Sequence, residues 1–481
     1  GELNDPAMLW ACLLLPQLAL DAVLRRQPDA KAAPFALVDG PAQLRRLHSV
    51  NAAAAAHGLK AGMRLSAAHA LLAGVSTQAH DPQAESAEHR FLAAWAYRHS
   101  SLVSRQWPRA IVLEVQASFR LFGPWSQFEH TLRAELESMG FGHRIALAPS
   151  PTAARVLVGL RDGFAVTAQG ELSRLLDRVP VRRAALPDDA GERLYRMGVR
   201  TLGALRALPG ASVQRRFGAD VLAHLRRLYG EADDPVDCYT PPDRFDMRVE
   251  LGYEVESHPP LLFPLRRLIN DLCIYLSARD GGVQRFVVRL EHDTGHTDVE
   301  VGLLAPERTS TMLFELARNR LERTEIPKAV VAMRLQAFEL PPFVPAARDL
   351  FDTRPQQALD WPHLRERLRA RLGDEAVYRV VPAGDPRPEH AWTRHVGADT
   401  GTIADAPARP VRPAWLLPQP VPLHDTGLRI LSGPERLESG WWDGDDARRD
   451  YYVVETRAGQ RGWAFVPPGR FDGWMLHGWF A

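Results

Sequence analysis

The chain has 481 residues, with 59 lysines and arginines against 58 aspartates and glutamates, and a formal net charge of +1. Because domains average roughly 150 residues, this length predicts about three domains, each large enough to have its own core. The charge balance excludes a strongly basic nucleic-acid coat and an acidic disordered tail, although it is compatible with one basic face.

The cysteines and the amino-terminal segment indicate where the protein resides. Cys12, Cys238 and Cys273 form neither a CxxC metal pattern nor an even disulfide framework, which favours a reducing cytoplasm. The apolar run from Met8 to Leu15 is far shorter than the ~20 residues of a membrane-spanning helix, and no basic segment precedes it as in a signal peptide. We therefore expect no membrane association, and residues 1–7 are a candidate addition before a start at Met8.

Short apolar runs alternate with amphipathic segments in the first third of the chain. Buried strands are predicted where the apolar runs are short, over 8–15, 34–38, 111–115 and 143–147. Helices are predicted where the apolar residues recur at helical spacing, over 17–26, 50–57, 64–73, 84–104, 125–139 and 151–160. This alternation indicates an α/β or α+β domain.

The character of the sequence changes after residue 185. Residues 186–230 are helical with glycine-punctuated turns. The Pro-rich segment 241–260 is predicted to be a linker, followed by a small α+β domain with a helix at 261–279, strands within 284–304, a helix at 309–324 and a strand at 329–339. A second linker at 341–360 leads to an Arg-rich helix at 361–373, a mobile Pro-rich stretch at 382–422 and a compact β-rich tail at 428–481.

A glycine-flanked hairpin lies within the helical segment. It comprises Gly198, Val199, Arg200, Thr201, Leu202 and Gly203. In a helix-hairpin-helix, such a turn aims backbone N–H groups and a helix N-terminus at a phosphate of DNA. An ordinary pair of helices with glycine caps has the same pattern, and the residues alone favour neither interpretation.

The order of these parts resembles the Y-family (translesion) DNA polymerases over about residues 8–340. The resemblance depends on stretches such as Gly58–Met63 (GLKAGM), Ser118–Gly123 (SFRLFG) and Ala148–Arg155 (APSPTAAR). It implies an α+β multidomain fold with the following parts: palm at 8–33 and 81–180, fingers at 34–80, a helix-hairpin-helix thumb at 181–240, a little finger at 241–340, a linker at 341–360, an Arg-rich helix with a Pro-rich linker at 361–427, and a small Trp-rich β module at 428–481.

The residues that carry the family's chemistry are absent at the matching positions. The family holds two Mg²⁺ ions with an Asp on the first palm strand and an Asp-Glu pair on a later one. Here these positions correspond to Leu14, Val115 and Gln116, and a one-residue shift on a strand would point the nearby Glu114 to the opposite face. The Tyr and Arg that clamp the nucleotide in the fingers correspond to two alanines, Ala52 and Ala55.

The resemblance therefore implies a polymerase-like protein without catalysis. The alternative is an active translesion polymerase whose metal ligands are displaced, with Glu114 as the candidate ligand. We expect no cofactor and no metal site, because His48, His57 and His69 show no metal-binding pattern.

A non-catalytic branch of the family, encoded in SOS-inducible mutagenesis cassettes, is the closer match. The stretches Gly433–Arg436, Gly440–Asp443 and Arg449–Tyr452 resemble this branch and lie outside the polymerase domains. The resemblance implies an assembly hub whose partners are the sliding clamp, the RecA-like protein ImuA and an error-prone C-family DNA polymerase, with weak binding to DNA. A pure DNA-binding module is the remaining alternative.

The linker after residue 340 carries a candidate clamp-binding motif. It comprises Arg348, Asp349, Leu350 and Phe351, in which the Leu-Phe pair would enter an apolar pocket of the clamp. The usual leading Gln is replaced by Ala347, which predicts weak or altered affinity. The alternative is that Leu350 and Phe351 pack on the chain's own little finger.

Aromatic residues are concentrated in the carboxy-terminal tail. Candidate partner-binding residues are Trp441, Trp442, Tyr451, Tyr452, Trp463, Trp474 and Trp479. Such residues could instead stack on single-stranded nucleic acid, but the balanced charge of the tail disfavours this interpretation. We expect most of these side chains to form the core of a small β module, with one edge available to a protein partner.

Overall fold

The computed structural model describes residues 8–343, 361–397, 411–424, 427–440, 442, 444 and 446–480. The chain divides into two compact units, Gly1–His363 and Leu364–Ala481. Over the described residues, the search for helices long and apolar enough to cross a bilayer found none.

The first unit is a mixed α and β structure. Its strands are β1 (Trp10–Leu14), β2 (Phe35–Asp39), β3 (Arg46–Val50), β4 (Ser76–Ala79), β5 (Val103–Ser104), β6 (Ala110–Glu114), β7 (Arg144–Ala148), β8 (Phe245–Val255), β9 (Val283–Glu291), β10 (His296–Glu307) and β11 (Val330–Ala337). Its helices are α1 (Leu18–Leu24), α2 (Pro28–Ala32), α3 (Ala52–Ala56), α4 (Leu65–Leu71), α5 (Pro82–Ala96), α6 (Phe119–Phe122), α7 (Trp125–Met139), α8 (Pro151–Leu160), α9 (Gln169–Leu176), α10 (Ala190–Arg196), α11 (Leu202–Arg206), α12 (Gly210–Phe217), α13 (Ala219–Leu228), α14 (His258–Ala278) and α15 (Ser310–Glu322).

An antiparallel sheet in the order β5-β6-β1-β7 forms the centre of the segments predicted to be the palm, 8–33 and 81–180, which are called the palm-like part below. Strand β1 is buried on both faces, which is why residues 10–13 read as an unbroken apolar run rather than an alternating one. Trp10 and Cys12 pack with residues of β6, β7 and α8 in a cluster that extends into helices α9–α13. The predicted strands at 8–15, 111–115 and 143–147 are confirmed.

Two further sheets belong to the first unit. In the finger-like part, β2 lies between β3, to which it runs antiparallel, and β4, to which it runs parallel. In the segment predicted to be the little finger, an antiparallel sheet in the order β10-β9-β11-β8 carries α14 and α15, a β-α-β-β-α-β arrangement. The predicted linker at 241–260 is wrong, because most of it forms β8. Its strict alternation of Phe245, Met247 and Val249 with polar residues was a strand signal masked by flanking prolines.

A buried ionic cluster joins α14 to the palm-like helices. Asp271 on α14 accepts two hydrogen bonds from Arg25, at 2.8 and 2.6 Å, and one from Arg26 at 2.7 Å. Glu88 on α5 pairs with both arginines. Burial alone would raise the pKa of Asp271, but the two guanidinium groups outweigh it and hold this pKa below its usual value. Paired and hydrogen-bonded charges of this kind are the form in which buried charges are tolerated.

The second unit is dominated by one antiparallel sheet. After α16 (Trp361–Leu372), the chain forms β12 (Arg379–Pro382), β13 (Trp392–His395), β14 (Trp415–Pro422), β15 (Arg429–Ser439), β16 (Ala447–Glu455), β17 (Arg461–Val466) and β18 (Met475–Trp479). Strands β12 and β13 pair, and the larger sheet has the order β14-β18-β17-β16-β15. The mobile stretch predicted at 382–422 is wrong over β13 and β14, because distant strands supply the hydrogen-bonding partners that the local sequence does not reveal.

Candidate functional site

The strand register decides which residues surround the predicted metal-binding position on β1. Because β1 and β6 are antiparallel, Leu14 pairs with Ala110, and the N–H of Leu15 donates to the carbonyl of Arg109 at 2.8 Å. At the other end of the pair, Trp10 faces Glu114, and the N–H of Val115 donates to the carbonyl of Leu9. Four strand residues, or about 13 Å, therefore separate Leu14 from the level of Glu114.

The structure does not bring Leu14 together with Val115 and Gln116. Ligands of a two-metal site must converge on ions roughly 3.5–4 Å apart, so these positions cannot correspond to one shared site. The residues beside Leu14 are Arg109 and Ala110 instead. The assignment of Val115 and Gln116 was wrong, since it was anchored on Leu121–Gly123, which follow the far end of β6. Neither Arg109 nor Ala110 is a carboxylate.

Glu114 has a structural use in this fold. Its side chain is buried, and its two carboxylate oxygens accept the N–H groups of Gln116 at 2.8 Å and Ala117 at 3.3 Å. These bonds satisfy the first turn of the 3₁₀ helix Gln116–Ser118. A carboxylate engaged in this way is not presented to a metal ion.

The finger-like helix that would clamp a nucleotide consists of alanine. Ala52 and Ala55 lie on α3, whose N-terminus is capped by Asn51 through a 2.9 Å bond from the N–H of Ala54. Both alanines are exposed, and neither carries a group that could bind a triphosphate. The helix itself is retained, because Asn51 also anchors it to β2 by accepting the N–H of Phe35 at 3.0 Å.

The predicted hairpin is present between α10 and α11, but most of its N–H groups are used internally. Gly198 has a positive φ of 88°, as expected for a turn that follows a helix. The N–H groups of Gly198, Val199, Leu202 and Gly203 donate to carbonyls within the protein. Gly203 is required for packing, since a Cβ there would lie 2.9 Å from the carbonyl oxygen of Asp177. Of the six predicted residues, Arg200 and Thr201 remain as candidate donors to a phosphate.

The predicted interaction residues other than Trp442 fall into three groups. The clamp motif Arg348–Phe351 and Trp441 lie outside the described residues. Tyr451, Tyr452 and Trp463 are buried, so these three are core residues and not direct partner contacts. Trp474 and Trp479 are half-buried.

The exposed aromatic residues of the second unit include one that the sequence analysis missed. Trp442 is 58% exposed, and Trp415, on the edge strand β14, is 71% exposed. Large aromatic side chains that remain in water are more informative about binding than buried ones. Trp415 lies within the Pro-rich stretch 382–422 that was predicted to be mobile, and no local pattern singled it out.

One group of potential metal ligands was not anticipated from the sequence, where His48, His57 and His69 show no metal-binding pattern. Within the described residues, the search for groups of three or more potential ligands found His48 together with His80 and Glu85. His57 and His69 are exposed and do not take part. The group joins residues that are 32 and 5 positions apart, and only the pairing of β2 with β3 and β4 brings them together.

The fold of this chain is that of a polymerase-like protein. Residues 17–159 match the model of the IMS family, described as the impB/mucB/samB family. The predicted fold class is confirmed: an α+β, Y-family polymerase-like chain with a β-rich carboxy-terminal region.

The resemblance extends to a particular protein, ImuB, and is confirmed. The chain is 27% identical over 460 residues to Protein ImuB of Caulobacter vibrioides, in strains NA1000 / CB15N and ATCC 19089 / CIP 103742 / CB 15, covering 88% of this chain and 100% of that protein. Solved structures that match the chain include a Y-family DNA polymerase chimera, Dbh-Dpo4(243-245)-Dbh, at 14% identity and a TM-score of 0.42, covering 69% of this chain and 98% of that one. DinB from Sulfolobus solfataricus matches at 14% identity and a TM-score of 0.40, covering 70% of this chain and 100% of that one.

Proposed function

We propose that this chain is a non-catalytic polymerase homologue that acts as a hub for error-prone translesion DNA synthesis and SOS-induced mutagenesis. The observation that carries the proposal is the composition of the strand ends beside Leu14, where Arg109 and Ala110 stand and a polymerase needs carboxylates. An arginine at this place repels divalent cations rather than binding them. The similarity to Protein ImuB over nearly the whole chain supports the same role.

Primer extension tests the absence of catalysis. Full-length protein is incubated with a primed template, the four deoxynucleotides and either Mg²⁺ or Mn²⁺, beside an active Y-family polymerase as a positive control. We expect no incorporation above a blank. The alternative, an active polymerase with displaced ligands, requires robust incorporation that Glu114→Gln abolishes. Because both Glu114 oxygens accept backbone N–H groups, the structure favours the first outcome.

The hub function would operate through effective concentration. Several modest contacts on one chain hold an error-prone C-family polymerase at a stalled primer end more strongly than any single contact. The proposed partners are the sliding clamp, through Arg348–Phe351, together with ImuA and the polymerase, through residues 354–481. Trp415 and Trp442 are the exposed aromatic residues of the described part of that region that we propose for contact with these proteins.

A matched pair of variants tests the clamp contact. Leu350→Ala combined with Phe351→Ala should reduce affinity for the purified sliding clamp at least tenfold, because the aromatic and aliphatic anchors supply most of the energy in such contacts. Phe338→Ala is the control, since Phe338 is also a large apolar side chain, 60% exposed, close to the same linker. Unchanged clamp affinity in the double variant, measured by surface plasmon resonance, would refute the motif.

DNA binding by the thumb-like part is proposed to be weak. Residues 151–240 hold 14 basic and 11 acidic residues, and residues 241–340 hold 13 and 16, so the little-finger segment has a net charge of −3. Arg200 lies 3.7 Å from the Tyr195 ring beside the hairpin. Arg200→Glu should lower affinity for primed DNA and reduce its dependence on salt. If salt-dependent DNA binding is strong while clamp and ImuA are not bound, the chain is a DNA-binding module and not a hub.

A further inference from the structure

A bulge in strand β3 places His48 beside two other potential metal ligands. In the pairing of β2 with β3, Leu37 faces Ser49 and Val38 faces Leu47, so His48 is the extra residue of the bulge. Bulges of this kind redirect a side chain and are common beside functional sites. On the other side of β2, the N–H of His80 donates to the carbonyl of Val38 at 2.8 Å, directly after β4.

Helix α5 contributes the third residue. Asp81 caps this helix by accepting the N–H groups of Gln83 at 2.9 Å and Ala84 at 3.2 Å. The cap fixes the first turn, which contains Glu85. Strand β3, the end of β4 and the start of α5 thus each provide one potential ligand.

The three side chains converge closely. One ligand atom from each of His48, His80 and Glu85 lies within 4.8 Å of the other two. His80 Nε2 is 2.7 Å from Glu85 Oε2, and the rings of His48 and His80 stack with centroids 3.9 Å apart at an angle of 11°. This spacing brings two imidazoles and one carboxylate to a single point, so that small rotations of the side chains would surround an ion.

The second ring nitrogen of His80 has no hydrogen-bond partner although its side chain is only 10% exposed. That nitrogen, Nδ1, is 3.9 Å from Asp39 Oδ2 at the end of β2. A carboxylate on the far side of a ligating imidazole is the usual outer partner of a metal-bound histidine, since it orients the ring and raises its basicity.

We propose that His48, His80 and Glu85 form a binding site for a zinc ion, with Asp39 as the outer carboxylate of His80. Two imidazoles and one carboxylate match zinc and related first-row divalent ions, whereas Mg²⁺ prefers oxygen ligands alone. Three protein ligands leave a fourth position open. Because His80 and Glu85 line a cavity of about 600 Å³, the ion would have a route of entry. A bound ion would tie the finger-like strands β3 and β4 to the palm-like helix α5, independently of any role in mutagenesis.

Zinc titration of the full chain, freed of any affinity tag, tests the proposal. Zn²⁺ is titrated in competition with a chromogenic chelator into wild-type protein and into His48→Asn, His80→Asn and Glu85→Gln. We expect one ion per chain, and an affinity at least tenfold lower in each variant. His57→Asn and His69→Asn are matched controls on exposed histidines of the same finger-like part, and should bind as the wild type does. Equal affinity in Glu85→Gln and wild type, or an equal loss in the controls, would overturn the site.

Three further measurements keep the result independent of misfolding. Circular dichroism in the presence of EDTA should show the same spectrum for every variant. In the wild type, Zn²⁺ should protect His48 and His80, but not His57, from diethyl pyrocarbonate as mapped by mass spectrometry. Zn²⁺ should also raise the melting temperature of the wild type. Excess Mg²⁺ should neither protect the two histidines nor raise the melting temperature. Modification of His48 and His80 at an unchanged rate with zinc present would refute the proposal even if a variant failed to fold.

Discussion

Replacing Asp271 by asparagine tests the ionic cluster that joins α14 to the palm-like helices. In the wild type, Asp271 accepts three charge-assisted hydrogen bonds, at 2.8, 2.6 and 2.7 Å, and its side chain is 1% exposed. Arg25 and Arg26 are 3% and 4% exposed, so water cannot replace the lost partner. Asp271→Asn leaves two buried guanidinium groups with Glu88 as their counter-charge.

The expected loss of stability is large. Removing one partner of a buried ion pair costs about 3–5 kcal/mol, because the remaining charge is uncompensated. The folded-state pKa of Asp271 is lower than its unfolded value of 3.8, so the stabilisation by this carboxylate is fully present at neutral pH and is lost as pH falls below that value. The comparison is therefore made at pH 7. With a urea dependence of about 3 kcal/mol per molar, a loss of about 4 kcal/mol moves the midpoint by more than ~1 M.

A partly exposed pair in the same part of the chain provides the control. Asp298 on β10 accepts two hydrogen bonds from Arg289 on β9, at 2.7 and 2.8 Å, with both side chains about one-third exposed. Asp298→Asn removes the same chemical group from a similar bidentate pair, but should cost only about 0–1 kcal/mol. Urea unfolding is followed by far-UV circular dichroism and fitted with separate transitions for the two units. If both variants lose the same stability, burial does not strengthen the Asp271 cluster and the reasoning is wrong.

Three further predictions concern single side chains. Burial raises the pKa of Asp21 from 3.8 to about 6, so the folded chain holds this proton more tightly than the unfolded chain does. The free energy of unfolding should therefore fall, by at most about 3 kcal/mol, as pH rises through that interval. Urea midpoints should show this fall for the wild type and not for Asp21→Asn. Glu114→Ala should cost about 1–2 kcal/mol at pH 7, because it removes the cap of a 3₁₀ turn, and an unchanged thermal midpoint would contradict this use of Glu114. Trp463→Ala should destabilise the second unit by about 3–5 kcal/mol, since Trp463 is buried against Tyr451. Trp442→Ala should cost less than about 1 kcal/mol, because Trp442 is exposed. Equal rates of proteolysis for the two variants would contradict the assignment of Trp463 to the core.

Much of the local structure could be predicted from periodicity. The helices α7 and α8 begin and end where the sequence indicates, because proline, serine and glycine mark their ends. The helix predicted over 84–104 ends earlier, at Ala96, because the following residues turn into β5. Short strands such as β13 and β14 were missed, since their stability depends on partners far away in the chain.

The candidate sites depended on contacts that no local pattern contains. The Leu350 and Phe351 pair was predicted from its likeness to a clamp-binding motif and from its position after the little finger, and it stays a prediction. The pairing of Asp271 with Arg25 spans 246 positions, so neither residue could be assigned a partner from its surroundings in the sequence. The convergence of His48 with His80 and Glu85 required a bulge, which inverts the side-chain direction expected from simple alternation.

The amino-acid sequence by itself determined the resemblance to a polymerase-like protein, and it predicts that the family's metal-binding carboxylates are absent. Both depend on residue types, and the prediction is the same for Arg109 and Ala110 as for Val115 and Gln116, because neither pair can bind Mg²⁺ as a charged ligand. The near-equal numbers of 59 basic and 58 acidic residues did not reveal how these charges are arranged. Only the tertiary structure decided which strand ends meet, which charges are buried together and which aromatic residues remain exposed, since hydrogen-bond register and long-range packing bring together residues that are far apart in the chain.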